Sequence, residues 1–135
     1  MKPLFLLLLL SFCQSALADW SRIAEKSHPE PQQYIDLDSV KQTGPMAIMR
    51  RVWELRNYSK PVHDGVQSAK RLSEYDCMDR RHRVLQEVWF AELWAKGENV
   101  TPGRKDNAEP AWHSIEKKSI NEIIFDEVCP SGIDG

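Results

Sequence analysis

Residues 66–94 read VQSAKRLSEYDCMDRRHRVLQEVWFAELW, and this stretch gives the clearest indication of the fold. Two segments with alternating polarity, 66–77 and 82–94, are separated only by the polar turn Met78-Asp79-Arg80. A connection this short joins antiparallel strands, because a parallel crossover needs a dozen or more residues. The stretch therefore predicts a β-hairpin inside an antiparallel sheet.

The second strand of this hairpin carries apolar side chains on both faces. Strict alternation places Val84, Val88 and Phe90 on one face. It places Leu85 and Trp89 on the other. Such a pattern is typical of a strand covered on both sides, or of one that lies at a contact between two copies of the chain.

Upstream of the hairpin, residues 46–58 predict another strand. They are rich in β-branched, aromatic and methionine side chains and follow the turn signal Gly44-Pro45. The pair Arg50-Arg51 breaks the alternation and indicates a bulge or a strand that leaves the core. Residues 34–40 fit either a strand or a helical turn.

The flanking segments are less regular. Residues 20–24 predict an edge strand, and residues 28–33, with two prolines, predict a loop. Residues 95–110 are rich in Gly, Asn and Pro and predict a second loop. A short strand is expected over 111–115. The sheet should therefore contain four to six strands.

The C-terminal segment predicts a short helix. Ser119 and Glu122 have the spacing of a capping box, in which each side chain accepts from the other residue's amide. A helical stripe of apolar residues follows, formed by Ile120, Ile123, Ile124 and Val128 with Phe125 at its edge. Pro130 disfavours the α conformation at Cys129 and ends the helix there. Together these features predict an α+β fold.

The first eighteen residues predict a cleaved secretory signal peptide. Lys2 precedes the apolar run 4–10, and Ala16-Leu17-Ala18 fits a cleavage site before Asp19. The apolar run is too short for a permanent transmembrane helix, although an uncleaved anchor is the alternative reading. Phe12 is too large for the residue before a lipidated cysteine, so a lipid anchor at Cys13 is not expected.

Removal of the signal leaves one domain, residues 19–135, with two cysteines. Cys77 and Cys129 have only each other as partners, and disulfides persist in exported proteins. The spacing predicts a structural disulfide, with a redox pair or a metal site as the alternative. The full chain of 135 residues has a net charge of -2, which does not favour a dedicated nucleic-acid binder.

An ordered set of features resembles the surface-adhesin protein E family of exported bacterial proteins. The set comprises the segment 34–40 before a long strand, the run KRLSEYDC at 70–77, the run RRHR at 80–83, the run WHSI at 112–115, and a short helix closed by Cys129. The resemblance implies a small antiparallel sheet whose C-terminal helix is held on one face by the disulfide. It also implies a bacterial envelope protein that binds host extracellular-matrix or serum proteins.

Basic residues concentrate in the middle of the chain. Residues 50–83 carry nine Lys or Arg against five acids, whereas residues 106–135 carry seven acids against two lysines. A positive surface can bind acidic proteins, heparin-like polymers or anionic headgroups. The candidate partner-binding residues are Lys70, Arg71, Arg80, Arg81 and Arg83. The alternative is a solvated sheet face paired with the acidic C-terminal part.

No motif indicates catalysis or a cofactor. The four histidines lack metal-ligand spacing, and no G-x-S-x-G or cysteine nucleophile with an adjacent base occurs. The expectation is a non-enzymatic binding protein of the periplasm, cell surface or secreted fraction. A homodimer is compatible with the apolar strand faces. The alternative function is a periplasmic structural or assembly factor with no host ligand.

Overall fold

The computed structural model describes residues 18–23, 30–103 and 108–130. In these ranges the chain forms one antiparallel sheet of seven strands and one C-terminal helix. The predicted α+β fold class is thereby confirmed, although the sheet has one strand more than the four to six expected. Residues 1–17 of the predicted signal peptide, including Cys13, lie outside the described residues. Within the described ranges, no helix has the length and apolar character needed to cross a membrane.

The strands follow one another in the sheet in the order of the chain. They are β1 (Trp20–Ile23), β2 (Gln32–Thr43), β3 (Met49–Val62), β4 (Val66–Asp76), β5 (Arg81–Glu92), β6 (Lys96–Asn99) and β7 (His113–Ser114), and helix α1 (Ile120–Val128) comes last. Strands β1 to β6 are sequential neighbours, and β7 returns to pair with β5. The short connections at 63–65 and 77–80 confirm the predicted hairpins.

The outer strands match the sequence expectations only in part. β1 is an edge strand as predicted, and residues 34–40 belong to β2 rather than to a helical turn. The prediction of a loop was wrong for residues 32–33, which begin β2, and for residues 96–99, which form β6. All four residues of β6 are exposed, so this strand lacks the apolar alternation by which a strand is recognised in sequence.

A β-bulge in β5 changes which side chains share a face. Val84 pairs with Ser73, but Gln86 pairs with Leu72, so Leu85 is an extra residue on β5. Beyond the bulge the alternation is reversed, and Val84 lies on the same face as Trp89. The prediction that Val84 shares a face with Val88 was therefore wrong.

The bulge expected at Arg50-Arg51 of β3 is absent there, and the irregular strand is its neighbour β2. β3 pairs with β4 without a shift from Met49 to Asn57. The register between β2 and β3 shifts instead between Asp36 and Lys41 of β2. The two arginines consequently alternate normally and point to opposite faces of the sheet.

Helix α1 covers one face of the sheet, which we call the helix face. The core there contains Ile35 and Val52 from the sheet and Ile124, Phe125 and Val128 from the helix, all buried. The Ser119 hydroxyl accepts a hydrogen bond from the amide of Glu122 at 3.2 Å, as predicted. The Glu122 carboxylate accepts from the amide of Lys118, at 2.7 Å, rather than from Ser119. The cap is therefore shifted by one residue on that side.

The disulfide attaches the end of this helix to the sheet. Cys77, directly after β4, is bonded to Cys129, directly after α1, with 5.6 Å between the Cα atoms. Both cysteines are buried within the same core. The opposite face of the sheet, which we call the open face, has no α-helix against it in the described ranges. Within those ranges, only the short 3-10 turn Leu93–Ala95 packs on one end of it, where the amides of Trp94 and Ala95 donate to the side chains of Asn57 and Ser68.

Candidate partner-binding surface

Three arginines lie side by side at one end of the open face. Arg51 on β3 is opposite Glu74 on β4, which is opposite Arg83 on β5. The next pair along the same edge joins Asp76 to Arg81. Side chains directly opposite one another on adjacent antiparallel strands share a face, so the register alone brings these charges together.

The acidic partners lie beneath the arginines. The Glu74 carboxylate accepts from Arg51 at 2.7 Å and from Arg83 at 2.7 Å, yet its side chain is only 3% exposed. Asp76 accepts from Arg81 at 3.0 Å and is 2% exposed. Arg51 and Arg81 are 43% and 37% exposed. Arg51 and Arg81 therefore face solvent while Glu74 and Asp76 beneath them do not. Arg81 also lies 3.5 Å from Asp79, which is 63% exposed and offsets part of its charge at the surface.

The ion pairs keep Glu74 charged. Burial raises the pKa of this carboxyl, but hydrogen bonds and charge attraction from Arg51 and Arg83 outweigh burial and lower the pKa below its usual value. Two cations share this single carboxylate. The row Arg51–Glu74–Arg83 thus carries a net positive charge.

An aromatic side chain lies against the arginines. The ring of Trp112, directly before β7, lies 4.6 Å from the Arg81 guanidinium and 4.4 Å from that of Arg83. Guanidinium groups are attracted to the faces of aromatic rings. Trp112 therefore helps to hold both side chains in place.

Arg80 extends this cluster around the end of the sheet. It lies in the turn between β4 and β5, with its guanidinium 4.6 Å from the Phe125 ring of α1. It also lies 3.4 Å from Glu122 and remains 46% exposed. We call Arg51, Arg80, Arg81 and Arg83 the arginine surface.

Two of the five residues expected at the site lie elsewhere. Lys70 is on the open face but sits over the Trp53 ring, with 4.6 Å between Nζ and the ring centroid. Arg71 points to the helix face, where its Nε lies 3.0 Å from Glu87. Consecutive residues of a strand point to opposite faces, so these two neighbours cannot contribute to one flat surface.

Two members of the cluster, Arg51 and Trp112, were not predicted from the sequence. Arg51 was not singled out because its neighbour Arg50, buried on the helix face, obscured the alternation. Counting alternate positions back from Val52 would have separated them. Trp112 could not have been found, because its place beside β5 depends on how the chain returns after the 101–112 segment.

Other polar groups of the sheet serve structure. The Tyr75 hydroxyl donates to the buried carboxylate of Glu54 at 2.6 Å. Burial and this carboxylate raise the pKa of Tyr75 well above its usual value. The rings of His82 and His113 lie 5.8 Å apart. Across the described ranges, no group of three or more His, Cys, Asp or Glu side chains could hold a metal ion.

Comparison with known proteins identifies the family. The model of the surface-adhesin protein E family matches residues 20–130. The chain is a member of the surface-adhesin protein E family. This agrees with the resemblance seen in the sequence, and it supports a surface adhesin-like protein. A search of curated proteins gives no match.

Solved structures agree with the fold. Crystal form II of Haemophilus influenzae protein E is 13% identical, with a TM-score of 0.66 over 84% of this chain and 91% of that one. A selenomethionine form of the same protein is 13% identical, with a TM-score of 0.59 over 81% and 87%. Protein E from non-typeable H. influenzae is 12% identical, with a TM-score of 0.53 over 79% and 84%. At these identities the likeness shows the fold alone.

Proposed function

We propose that this protein is a non-enzymatic binding protein of the bacterial envelope that recognises acidic proteins or polymers through the arginine surface. Host extracellular-matrix proteins are the partner class that membership of the adhesin family favours. The contact would be made mainly by Arg51, Arg80 and Arg81, which are the more exposed members of the surface.

The observation that carries this proposal is the layering of charge. Glu74 and Asp76 neutralise part of the arginine charge from below, where they are buried. A partner approaching from solvent meets guanidinium groups already held in fixed positions. Arginine side chains that are ordered in advance lose little conformational freedom on binding carboxylate or sulfate groups.

Export belongs to the same proposal. Residues 1–18 would direct the chain through the inner membrane and be removed before Asp19. Without a lipid at Cys13, the mature protein would be periplasmic or released to the cell surface. Protease accessibility on intact cells would separate these two locations, and a fully protected protein would favour the periplasmic structural role.

The binding test uses immobilised heparin and immobilised extracellular-matrix proteins with the purified mature chain. Binding should weaken steeply between 50 and 500 mM salt, because exposed charges are screened at high ionic strength. The variant Arg51→Gln/Arg80→Gln/Arg81→Gln should bind at least tenfold more weakly. Arg83 is left in place so that Glu74 keeps a counter-ion.

The matched control is Lys117→Gln/Lys118→Gln. It removes two exposed cations near α1, outside the arginine surface. The control should bind as the wild type does, and both variants should melt cooperatively. An equal loss of binding affinity in the two variants would show that only net charge matters. The absence of binding by the wild type at 50 mM salt would refute the proposal.

A further inference from the structure

One side of β5 is only partly covered by other strands. β6 pairs with its C-terminal part, at Phe90 and Glu92, and β7 pairs with its first two residues. In the part of the chain that the structure describes, no strand pairs with residues 83–88 on the side away from β4. At about 3.3 Å per residue, this open interval is roughly 20 Å long.

The chain itself creates the interval. Asn99 pairs with Phe90 and His113 pairs with His82, so the two pairs are fourteen positions apart in this part of the chain but only eight positions apart in β5. A continuous edge strand would be six residues shorter. The last contacts before the interval are at Trp89, whose carbonyl accepts from Val100 and whose amide donates to the Thr101 hydroxyl.

The residue that follows ends the pairing. Pro102 has no amide hydrogen and cannot donate to a strand ladder. β6 and β7 are therefore two ends of one interrupted edge strand. Between them, β5 has outward backbone donors and acceptors that no strand of the described residues 18–23, 30–103 and 108–130 pairs with, and that a further strand can bind.

A groove of about 800 Å³ lies at the interval. Its wall contains the apolar residues Val84, Leu85, Trp89 and Pro102. Among its described lining residues, Glu87 alone is charged. The Glu87 side chain is one-third exposed, with one oxygen 3.0 Å from Arg71 Nε and the other accepting from the indole N–H of Trp89. A carboxylate has room for more than one donor, so a second cation can be accommodated there.

We propose that this interval of β5 binds an extended segment of a partner polypeptide by strand addition. The segment would carry apolar side chains toward Val84 and Trp89 and a basic side chain opposite Glu87. This binding mode is separate from the arginine surface and does not depend on adhesion to a host.

The chemistry of the edge selects this class of partner. An unpaired strand presents donors and acceptors at a regular spacing that only another extended backbone matches along its length. The negative Glu87 in an otherwise apolar groove favours a Lys or Arg in the segment. The bulge at Leu85 and the flanking strands limit the added strand to about six residues, which disfavours unlimited edge-to-edge association.

The probe is the synthetic peptide acetyl-VTKTVT-amide, added to the mature protein. Its valines and lysine share one face of an extended strand. Hydrogen exchange of the β5 amides that point away from β4, within residues 83–88, should slow at least tenfold at saturation. The same peptide with alternate backbone nitrogens methylated should bind at least tenfold more weakly, because it loses donors along one edge.

Two variants locate the site. Deletion of residues 104–109 removes the six extra residues, so the shortened link must run directly along the interval and cover it even where its prolines cannot pair. It should abolish peptide binding while the protein still melts cooperatively. Glu87→Gln should weaken binding several-fold. Glu92→Gln, on the part of β5 that β6 covers, is its control and should bind normally. The triple arginine variant should also bind normally, which separates this proposal from the adhesive function.

Three results would overturn the proposal. Slow exchange of residues 83–88 in the free protein at every concentration would mean that the chain already covers its own edge. Protection that rises with protein concentration alone would mean that a second copy occupies it. Equal binding of the methylated peptide would mean that the backbone edge is not recognised.

Discussion

Different interactions dominate on the two faces of the central sheet. On the helix face, Ile35 and Val52 pack against Ile124 of α1, and a disulfide holds the helix end. On the open face, the same strands carry the row Arg51–Glu74–Arg83 with no helix above it. Burial of apolar surface is not weakened by ionic screening, whereas pairs with exposed arginines are.

This difference shows how a small domain separates stability from recognition. The helix face provides most of the apolar burial, so substitutions there should change unfolding more than binding. The open face keeps its charges accessible because their partners are buried in the sheet rather than in a covering layer. Each face can therefore be perturbed and its effect measured separately.

The largest expected effect is loss of the disulfide from the helix face. The bond closes a loop with a sequence separation of 52, and the chain-entropy model gives it about 4 kcal/mol. Cys77→Ala/Cys129→Ala should lower the free energy of unfolding by this order in urea denaturation. The amide hydrogen-exchange rate in this variant should increase more in α1 than in β3 and β4.

Wild-type protein treated with a reductant is the control for the lost side-chain volume. It should show a similar loss of stability. A change below about 1 kcal/mol in both would mean that packing alone holds the helix.

A smaller effect is expected on the open face from Glu74→Gln. The change leaves Arg51 and Arg83 without their shared anion and should lower the free energy of unfolding by about 2 kcal/mol, less than for a fully buried pair because the arginines are partly exposed. The exposed Glu98→Gln on β6 is the control and should change little.

The same variant tests the pKa of Glu74. Because the folded-state pKa lies below the ordinary glutamate pKa of 4.5, the carboxylate stabilises the fold above that pH. The difference between wild type and Glu74→Gln should disappear as the pH falls through the lowered pKa. A difference that persists in strong acid would contradict the assignment.

The smallest effect concerns a titrating group on the helix face. Burial, and to a smaller extent the charges of His113, Arg71 and Arg56, lower the pKa of His82 below the ordinary histidine value of 6.5. The unfolded chain therefore takes up this proton more readily, and stability should fall as the pH drops below 6.5. His82→Gln should flatten this slope in urea titrations at pH 7.5 and 5.0.

The exposed His63→Gln variant, in the turn before β4, provides the control. It should keep the wild-type slope. An unchanged slope in His82→Gln would assign the pH dependence to another group.

Sequence reasoning was most successful where the signal is local. The helix over 120–128 follows from the Ser119 cap, the apolar stripe and Pro130, all within a dozen residues. The hairpin of β4 and β5 follows from the short connection between them, residues 77–80.

Sequence reasoning failed where one residue shifts a register. The extra residue Leu85 moves Val84 to the face opposite Val88, and no local feature of the run marks it. β6 was missed because an exposed edge strand needs no apolar residues. The candidate site was predicted only in part. The excess of positive charge can be read from the composition, but which basic residues lie on which face of the sheet depends on strand alternation.

The antiparallel sheet, the capped helix and the cysteine pair could be predicted from the sequence, since each depends on short spacings and residue type. The position of Glu74 and Asp76 beneath exposed arginines and the open interval of β5 became visible only in the tertiary structure. Both depend on pairing between strands distant in the chain, where cross-strand register rather than local preference sets the position of every side chain.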